Sequence, residues 1–273
     1  MDVFNKINNK NLYIVSDLHM GDWTDKDNFK DFRPEFERFL DYVERDPDYC
    51  LILNGDVFEL WQSSIGDILR NYFDLLNRIV NMNSIFIVGN HDIDLQSLIG
   101  LNLKNNFIDS LSSCLIVERN GKHIRIMHGH EFDKFNDPKK SMLLGKISAL
   151  AAGWIEMQIG TTLGEKSTET ILDKIAMFFV NLFSSIYRNL NKTSSENKNK
   201  ETFYSNLIEY HNKCIDNIII TGHTHDAGII SDWYFNSGSW QKKSPYFIAI
   251  DKSGSIIIRK WPSCEQVFKN LLS

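Results

Sequence analysis

IFIVGNHD, at residues 85–92, joins a short apolar run to a cluster of polar residues. Four consecutive apolar residues stopped by glycine are typical of a strand that is buried on both faces, as in a parallel sheet. The side chains of Asn90, His91 and Asp92 would then lie just beyond the carboxyl end of that strand. Ligands of open α/β sheets gather at such strand ends, so this stretch predicts both a fold class and the place of a site.

The same arrangement recurs elsewhere in the chain. The other motifs are Asp17-Leu18-His19, Gly55-Asp56, His128-Gly129-His130 and Gly222-His223-Thr224-His225. The apolar runs before them are Leu12–Val15, Cys50–Leu53, Ile124–Met127 and Ile218–Ile220. A single histidine beside an apolar run is usually a packed core residue, but five motifs at five strand ends predict one shared site built from carboxylates, imidazoles and an amide.

Helical patterns lie between the first strands. One begins at Pro34 and runs to about Arg45, and a second apolar stripe extends from Ile68 to Ile79. Alternating strands and helices predict an α/β fold with helices on the faces of a sheet.

The later part of the chain is predicted to form pairs of antiparallel strands. Asn120-Gly121 is a turn signal between Leu115–Glu118 and Ile124–Met127, which predicts a β-hairpin. Tyr246–Ile250 and Ser255–Lys260 form a similar pair. We therefore expect a second, more antiparallel sheet.

Residues 136–214 separate the fourth and fifth motifs by a mostly helical pattern. Apolar residues from Ile171 to Leu190 recur at helical spacing, whereas Asn189–Thr202 is polar and predicts a loop. We expect a single domain over residues 1–273, with residues 136–214 as a helical insertion or lid within it.

Composition limits the class of protein. A net charge of -5 over 273 residues argues against broad nucleic-acid binding. Four cysteines without a C-x-x-C pair favour reduced thiols in a cytoplasmic protein over a zinc ribbon or a redox pair. Met1–Lys10 lacks the apolar core of a signal peptide, and no apolar run reaches the length of a transmembrane helix.

The five motifs and their order resemble the calcineurin-like metallophosphoesterase family. The resemblance implies a two-sheet β-sandwich flanked by helices, with two divalent metal ions at one edge. It implies the roles of seven ligands: Asp17, His19 and His225 would bind the first metal, Asp56 would bridge both, and Asn90, His128 and His223 would complete the second.

The resemblance also assigns two residues to catalysis. His91 would face the substrate and protonate the leaving oxygen or stabilise charge on the phosphoryl group. Asp92 would orient His91. Two alternatives stay open: His130 could replace or assist His128, and Glu59 is either an acceptor for a metal-bound histidine or a solvated helix residue.

The motifs contain no sulfur ligand, which favours manganese, iron or zinc over copper or an iron–sulfur cluster. Manganese is the expected metal, with iron and zinc as alternatives. Two adjacent divalent ions suit the hydrolysis of a phosphoester because they stabilise charge on both the attacking and the leaving oxygen.

The segment Gly55–Trp61 is similar to enzymes that hydrolyse UDP-2,3-diacylglucosamine in lipid A synthesis, which carry a helical insertion for acyl chains. The best-known branch of those enzymes has arginine where this chain has His91, so the substrate stays open. A general phosphodiesterase or nuclease is one alternative, although the acidic balance counts against a nuclease. A non-catalytic scaffold with the same fold is another.

The insertion leaves further alternatives. It could hold acyl chains and contact the inner membrane face peripherally, or it could pack on the core or on another copy of the chain in a homo-oligomer. The expected location is cytoplasmic.

Overall fold

The computed structural model describes residues 7, 9–25, 27–101, 107–133, 196–216, 218–241 and 245–271. The chain divides into two compact units. One comprises Met1–His130 with Glu209–Ser273, and the other comprises Glu131–Ile208. Both β-sheets described below belong to the first unit.

The strands lie in two sheets. They are β1 (Asn11–Val15), β2 (Tyr49–Asn54), β3 (Ile85–Ile87), β4 (Leu111–Ser112), β5 (Leu115–Arg119), β6 (Lys122–Ile126), β7 (Ile218–Thr221), β8 (Gly228–Ile230), β9 (Tyr234–Asn236), β10 (Tyr246–Ile250), β11 (Ile256–Lys260) and β12 (Glu265–Gln266). The larger sheet has the order β12-β11-β10-β1-β2-β3-β4, and the smaller has the order β5-β6-β7-β9-β8.

Each sheet mixes parallel and antiparallel pairs. In the larger sheet β1, β2, β3 and β4 run parallel, while β10 pairs antiparallel with β1 and β11. In the smaller sheet β6, β7 and β9 run parallel, and β5 and β8 pair antiparallel with their neighbours. This confirms the predicted α/β sandwich of two sheets.

Helices and short 3₁₀ turns connect the strands. Among the described residues, the α-helices are α1 (Arg33–Glu44), α2 (Ile65–Asn81) and α3 (Glu196–His211), and the 3₁₀ turns are Asn28–Asp31, Ile93–Leu98, Ile108–Ser110 and His130–Phe132. In α1, Phe36, Phe39, Leu40 and Val43 are buried, as their spacing predicts. Ser64 caps α2 because its side chain accepts a hydrogen bond from the amide of Asp67.

The main core lies between the sheets. Inward-facing aliphatic side chains of both sheets form one cluster, which includes Ile14, Ile52, Ile126, Ile220 and Ile248. All five are essentially inaccessible to solvent. A two-sided apolar core of this kind fixes the alignment of the two sheets, and with it the relative positions of their strand ends.

Two turn predictions have different outcomes. Asn120 and Gly121 both have positive φ, 50° and 72°, as a two-residue hairpin turn requires, so the β5–β6 hairpin is confirmed. The loop predicted over Asn189–Thr202 is wrong from Glu196 onward because α3 begins there. Glutamate and lysine favour helices, and the buried Phe203 and Leu207 follow within the same helix.

Most of the predicted insertion, including the Ile171–Leu190 stripe, lies outside the described residues. In the second unit, the Phe132 ring packs 5.9 Å from the Phe203 ring, and the Asn206 side chain donates to the Phe132 carbonyl at 2.8 Å. Within the described ranges, no helix combines the length and apolarity that a bilayer crossing requires.

Candidate metal centre

The motif residues gather where parallel strands of both sheets end. Asp17, Asp56 and Asn90 follow β1, β2 and β3 of the larger sheet, while His128 and His223 follow β6 and β7 of the smaller one. The backbone bends sharply at these points. Positive φ values occur at Asp17, His19, Asp56, His223 and His225. Non-glycine residues rarely adopt this conformation, and where they do it often marks a functional site.

The first group consists of Asp17, His19 and His225, whose ligand atoms all lie within 4.8 Å of one another. The Asp17 Oδ1 atom is 3.0 Å from His225 Nε2 and 3.9 Å from His19 Nε2. Asp17 is fully buried and His19 is 5% exposed. A carboxylate and two imidazoles converging in a buried space make a plausible set of ligands for a divalent cation.

The second group consists of Asp56, His128 and His223 within the same limit. The Asp56 Oδ2 atom lies 3.1 Å from His128 Nε2 and 3.7 Å from His19 Nε2, so one carboxylate oxygen faces both groups. The Asn90 Oδ1 atom lies 3.2 Å from His128 Nε2. The structure thus brings all seven predicted ligands together.

Two buried atoms in the first group support a cation there. The His19 Nε2 atom makes no hydrogen bond to any described residue, and the Asp17 Oδ1 atom lies 3.0 Å from His225 Nε2 without the alignment of a good hydrogen bond. A buried carboxylate oxygen without a hydrogen bond costs free energy. A divalent cation between these atoms would remove that cost, so the residues fit a metal ion.

The electrostatics point the same way. Burial alone would raise the pKa of Asp56, but the charges of His128, His91 and His19 hold it well below its usual range. Burial would lower the pKa of His128, but the charge of Asp56 raises it to about 10. The buried carboxylates are therefore stabilised by nearby positive charge. Protonated histidines supply that charge when no metal ion is bound.

Two glycines leave room for the carboxylates. A Cβ atom on Gly89 would overlap Asp56 Oδ1, and a Cβ atom on Gly222 would lie 2.5 Å from Asp17 Oδ2. Cβ atoms essentially never approach a non-bonded heavy atom within 3.0 Å. Any larger residue at either position would therefore push against a carboxylate of the centre.

Glu59 joins the centre to His91. Its Oε2 atom is 2.9 Å from His19 Nδ1, and its Oε1 atom is 2.8 Å from His91 Nδ1. Burial would raise the pKa of Glu59, but its hydrogen bonds with both histidines lower the pKa to about 2. Of the two readings left open by the sequence, the structure favours the acceptor: Glu59 is an ionised partner of both rings.

The expected role of Asp92 needs correction. Its carboxylate accepts hydrogen bonds from the amides of Val57, Phe58 and Gly89. The side chain is 2% exposed and is turned toward the backbone that carries Asp56, so Glu59 and not Asp92 contacts the His91 ring. Sequence proximity suggested Asp92, but in the fold its carboxylate faces three backbone amides.

The His128-Gly129-His130 motif places its two histidines differently. His128 belongs to the second metal-binding group, whereas His130 is in none of the groups that the described residues form. The His130 ring lies 5.6 Å from the His128 ring and 6.5 Å from the His223 ring. The His128 Nδ1–H group donates to the Asn54 carbonyl, 2.9 Å away, which leaves Nε2 for the centre.

Two further features lie beside the centre: the turn Asn236–Ser239, which from sequence resembles a family turn beside the site but could also be a plain surface turn, and Trp61, whose contact the sequence does not predict. The turn at Asn236–Ser239 supports the strand ends: the Ser239 hydroxyl donates to the Asp17 carbonyl and the Asn236 amide donates to the Gly222 carbonyl. Trp61 lies flat on His91. Such contacts bring together positions far apart in the chain or on separate loops, so no local pattern reveals them.

A cavity of about 320 Å³ opens beside His19, His91 and His225. Glu59, Asp22 and Gln241 also line it. Burial would lower the pKa of His91, but the charges of Asp56 and Glu59 raise it. The imidazole ring of His91 thus lines the cavity and can carry a proton there, next to the two ligand groups.

Comparison with known proteins adds the following findings. The family model for calcineurin-like phosphoesterase matches residues 10–227. No curated protein sequence matches the chain. One similar solved structure, of an archaeal phosphodiesterase, covers 92% of this chain and 99% of its own at 13% sequence identity, with a TM-score of 0.39.

Proposed function

The chain belongs to the calcineurin-like phosphoesterase family and is a metal-dependent phosphoesterase, and on this premise we propose that it hydrolyses phosphodiester or diphosphate bonds at a centre of two metal ions. The position of Asp56 carries the proposal. Its Oδ2 atom lies within 4 Å of both His19 and His128, which belong to different ligand groups. A carboxylate in that position suits the bridging role.

The proposed ligands are the seven motif residues. Asp17, His19 and His225 would hold one ion, Asn90, His128 and His223 the other, and Asp56 both. When bound, the ions would provide an activated water and stabilise negative charge on the phosphoryl oxygens. The all-oxygen-and-nitrogen donor set suits manganese, which we propose as the working metal, with iron and zinc as alternatives.

His91 is the proposed proton donor. Its Nδ1 atom is engaged by Glu59 at 2.8 Å, which leaves Nε2 for a substrate oxygen, and its side chain lines the cavity. Ionised Glu59 favours a proton on Nδ1 and stabilises the ring when Nε2 is also protonated. From Nε2 the proton would pass to the leaving alcohol as the phosphorus–oxygen bond breaks. Such a donor typically contributes about 10²–10⁴-fold to turnover.

The test separates metal binding from proton transfer. Asp56→Ala should lose bound metal and activity together, because the bridge serves both ions. His91→Ala should keep two ions per chain and lose about 10²–10⁴-fold in turnover. Metal content is measured by elemental analysis. Metal dependence is measured on a chromogenic phosphodiester with and without added manganese, and the His91→Ala loss on a dialkyl phosphate, whose poor leaving group needs a proton. Full activity of the chelator-stripped enzyme would contradict the dinuclear mechanism, and an emptied metal site in His91→Ala would contradict the role of that residue.

For the substrate, we propose a nucleotide linked to an acylated sugar, such as UDP-2,3-diacylglucosamine, with the insertion over residues 136–214 holding the acyl chains. Two observations support it: the similarity of Gly55–Trp61 to those enzymes, and the position of the insertion between two site motifs. Each buried methylene contributes about 0.8 kcal/mol, so acyl chains would dominate substrate choice.

The intact enzyme offers the sharpest test of this substrate class. Across a series of diesters that differ only in acyl length, kcat/KM should rise steeply with each added methylene. Deletion of the insertion helices should then abolish that dependence and leave small water-soluble diesters nearly unaffected. Equal kcat/KM values across the series would favour a general phosphodiesterase, with the insertion packed on the core or on another copy of the chain.

A further inference from the structure

Trp61 lies against the face of His91. The two ring centroids are 3.9 Å apart and the ring planes differ by 20°, which is a stacked arrangement. The indole Nε1 atom also donates to the Asn90 carbonyl at 3.0 Å. We infer that Trp61 is a positioning residue, which sets the ring plane of His91 so that its Nε2 atom meets the leaving oxygen. The inference rests on the proposed role of His91 as proton donor.

Hydrogen bonding alone does not fix the His91 ring. The χ2 torsion of histidine is broad, so a ring held only at Nδ1 by Glu59 can still pivot about its Cβ–Cγ bond. A flat indole against one face removes most of that freedom. On another side, His19 meets the ring edge-on, with centroids 4.6 Å apart and an interplanar angle of 83°. The ring thus has one orientation in which all three neighbours keep their contacts.

The second contact of Trp61 anchors the peptide that carries the ring. Asn90 precedes His91, and the His91 amide donates to Asp56 Oδ1 at 2.8 Å. The indole bond to the Asn90 carbonyl therefore braces the same short segment from the other side. Because Asp56, Glu59 and Trp61 lie on one six-residue stretch after β2, a single loop supplies the proposed bridge, the hydrogen-bond partner and the stacking surface.

A positioning role predicts a particular kinetic signature. Protonation matters most when the departing alcohol is a poor leaving group, and hardly at all for p-nitrophenolate, which leaves as a stable anion. A ring that is misplaced by about 1 Å can lose on the order of 10²-fold in rate. Loss of the Trp61–His91 stack should therefore slow the hydrolysis of alkyl esters more than that of p-nitrophenyl esters.

The experiment compares Trp61→Leu with the unaltered enzyme, both loaded with manganese. For a methyl p-nitrophenyl phosphate the kcat should change by less than about threefold, whereas for a dialkyl phosphate it should fall about 10- to 100-fold. Metal content should stay at two ions per chain, and KM should change little. Trp61→Phe keeps a flat ring and should retain most of the alkyl-ester activity.

The chain offers a matched control. Trp233 stacks on His211 with nearly the same geometry, at 4.1 Å and 20°, on residues outside the proposed centre. Trp233→Leu removes an equal tryptophan–histidine stack, so it reproduces any general cost in stability. It should leave the kcat values for both substrates unchanged.

A double variant separates this inference from the proposed function. In a His91→Ala background, Trp61→Leu should cause no further loss on the alkyl ester, because the two residues act as a unit. Equal losses on both substrates, additive losses in the double variant, or loss of metal from Trp61→Leu would overturn the positioning role. If His91→Ala itself shows no leaving-group dependence, the proton-donor proposal fails and the inference falls with it. If Trp61→Leu does not fold, as judged by thermal melting, Trp61→Met takes its place with the same expected outcomes.

Discussion

Gly222→Ala should disable the centre although it adds a single methyl group. Gly222 follows β7 and precedes His223. Its φ is not in the left-handed region, so alanine can adopt the backbone conformation there. The loss of function would therefore be caused by steric overlap alone. The new Cβ would lie 2.5 Å from Asp17 Oδ2 and 2.6 Å from Ser16 Cβ, with Ser16 Oγ closer still.

The neighbours of that methyl group have little freedom to move. Asp17 and Ser16 are fully buried, and the Ser16 hydroxyl is fixed by the Ser237 hydroxyl at 2.7 Å and the Gly238 carbonyl at 2.9 Å. To reach 3.0 Å, below which Cβ atoms essentially never approach another atom, the methyl group and the Asp17 carboxylate must separate by about 0.5 Å. The displacement would move Asp17 or the segment that carries His223.

The expected cost follows from that displacement. Overpacking of a buried site lowers the free energy of unfolding by about 1–3 kcal/mol. A shift approaching 1 Å in a catalytic array costs on the order of 10²-fold in rate, so kcat/KM should fall roughly 10- to 100-fold, with weaker metal retention during dialysis. Steady-state kinetics, elemental analysis and urea unfolding measure the three effects.

Gly66→Ala is the matched control. Gly66 lies in the first turn of α2, where the nearest atom to a new Cβ is the Ser64 hydroxyl at 3.8 Å. That variant should keep full activity and gain up to about 1 kcal/mol from helix propensity. If Gly222→Ala instead retains metal and kcat/KM within twofold of the parent, the close approach at Asp17 does not matter to the centre and the steric reasoning is refuted.

Three further predictions follow from single contacts. Glu59→Gln should lower turnover about 10- to 100-fold, because an amide cannot accept from two imidazole N–H groups as a carboxylate does; unchanged kcat in steady-state assays would contradict this. Ser64→Ala removes the cap of α2 and should cost about 0.5–2 kcal/mol in urea unfolding, with kcat unaffected. Asp46→Asn should lower the melting temperature at neutral pH and leave it unchanged in acid. Burial raises the pKa of Asp46, but hydrogen bonds, including one from Tyr13, lower it overall. Its contribution is therefore present above the ordinary aspartate pKa of about 4 and lost as pH falls through the lower folded value, so melting temperatures of parent and variant should differ at pH 7 and converge in acid.

The central strands β2 and β3 of the larger sheet were predictable because they are buried almost throughout. Runs such as Ile85–Val88 are short, apolar without interruption, rich in β-branched residues and followed by glycine, a combination that favours a strand over a buried helix. The order of motifs after these strands then placed the ligands at one edge, since parallel strands share a carboxyl end. The hairpin at Asn120-Gly121 was predictable because both residues tolerate positive φ.

The parts that sequence could not supply depend on side chains from different segments meeting in space. Asp92 is next to His91 in the chain, yet its carboxylate is drawn to three backbone amides, and Glu59 reaches the ring from another loop. The start of α3 was missed because its first turn is polar and the apolar residues that anchor it come later. A local sequence pattern indicates the secondary structure that a residue prefers. It does not indicate which residues distant in sequence will contact its side chain.

The proposed ligands come from both sheets, and this ties the lifetime of the protein to the supply of metal. Asp17 and His225 are separated by more than 200 residues in sequence but adjacent in the fold. An unfolded chain cannot present such a set, so ions bound only by the native state add RT ln(1 + [metal]/Kd) to its stability, about 2.7 kcal/mol at a hundredfold excess over Kd. In a metal-starved cell the protein would unfold more often and be exposed to proteases. Its abundance would then fall with metal supply even if its rate of synthesis were constant.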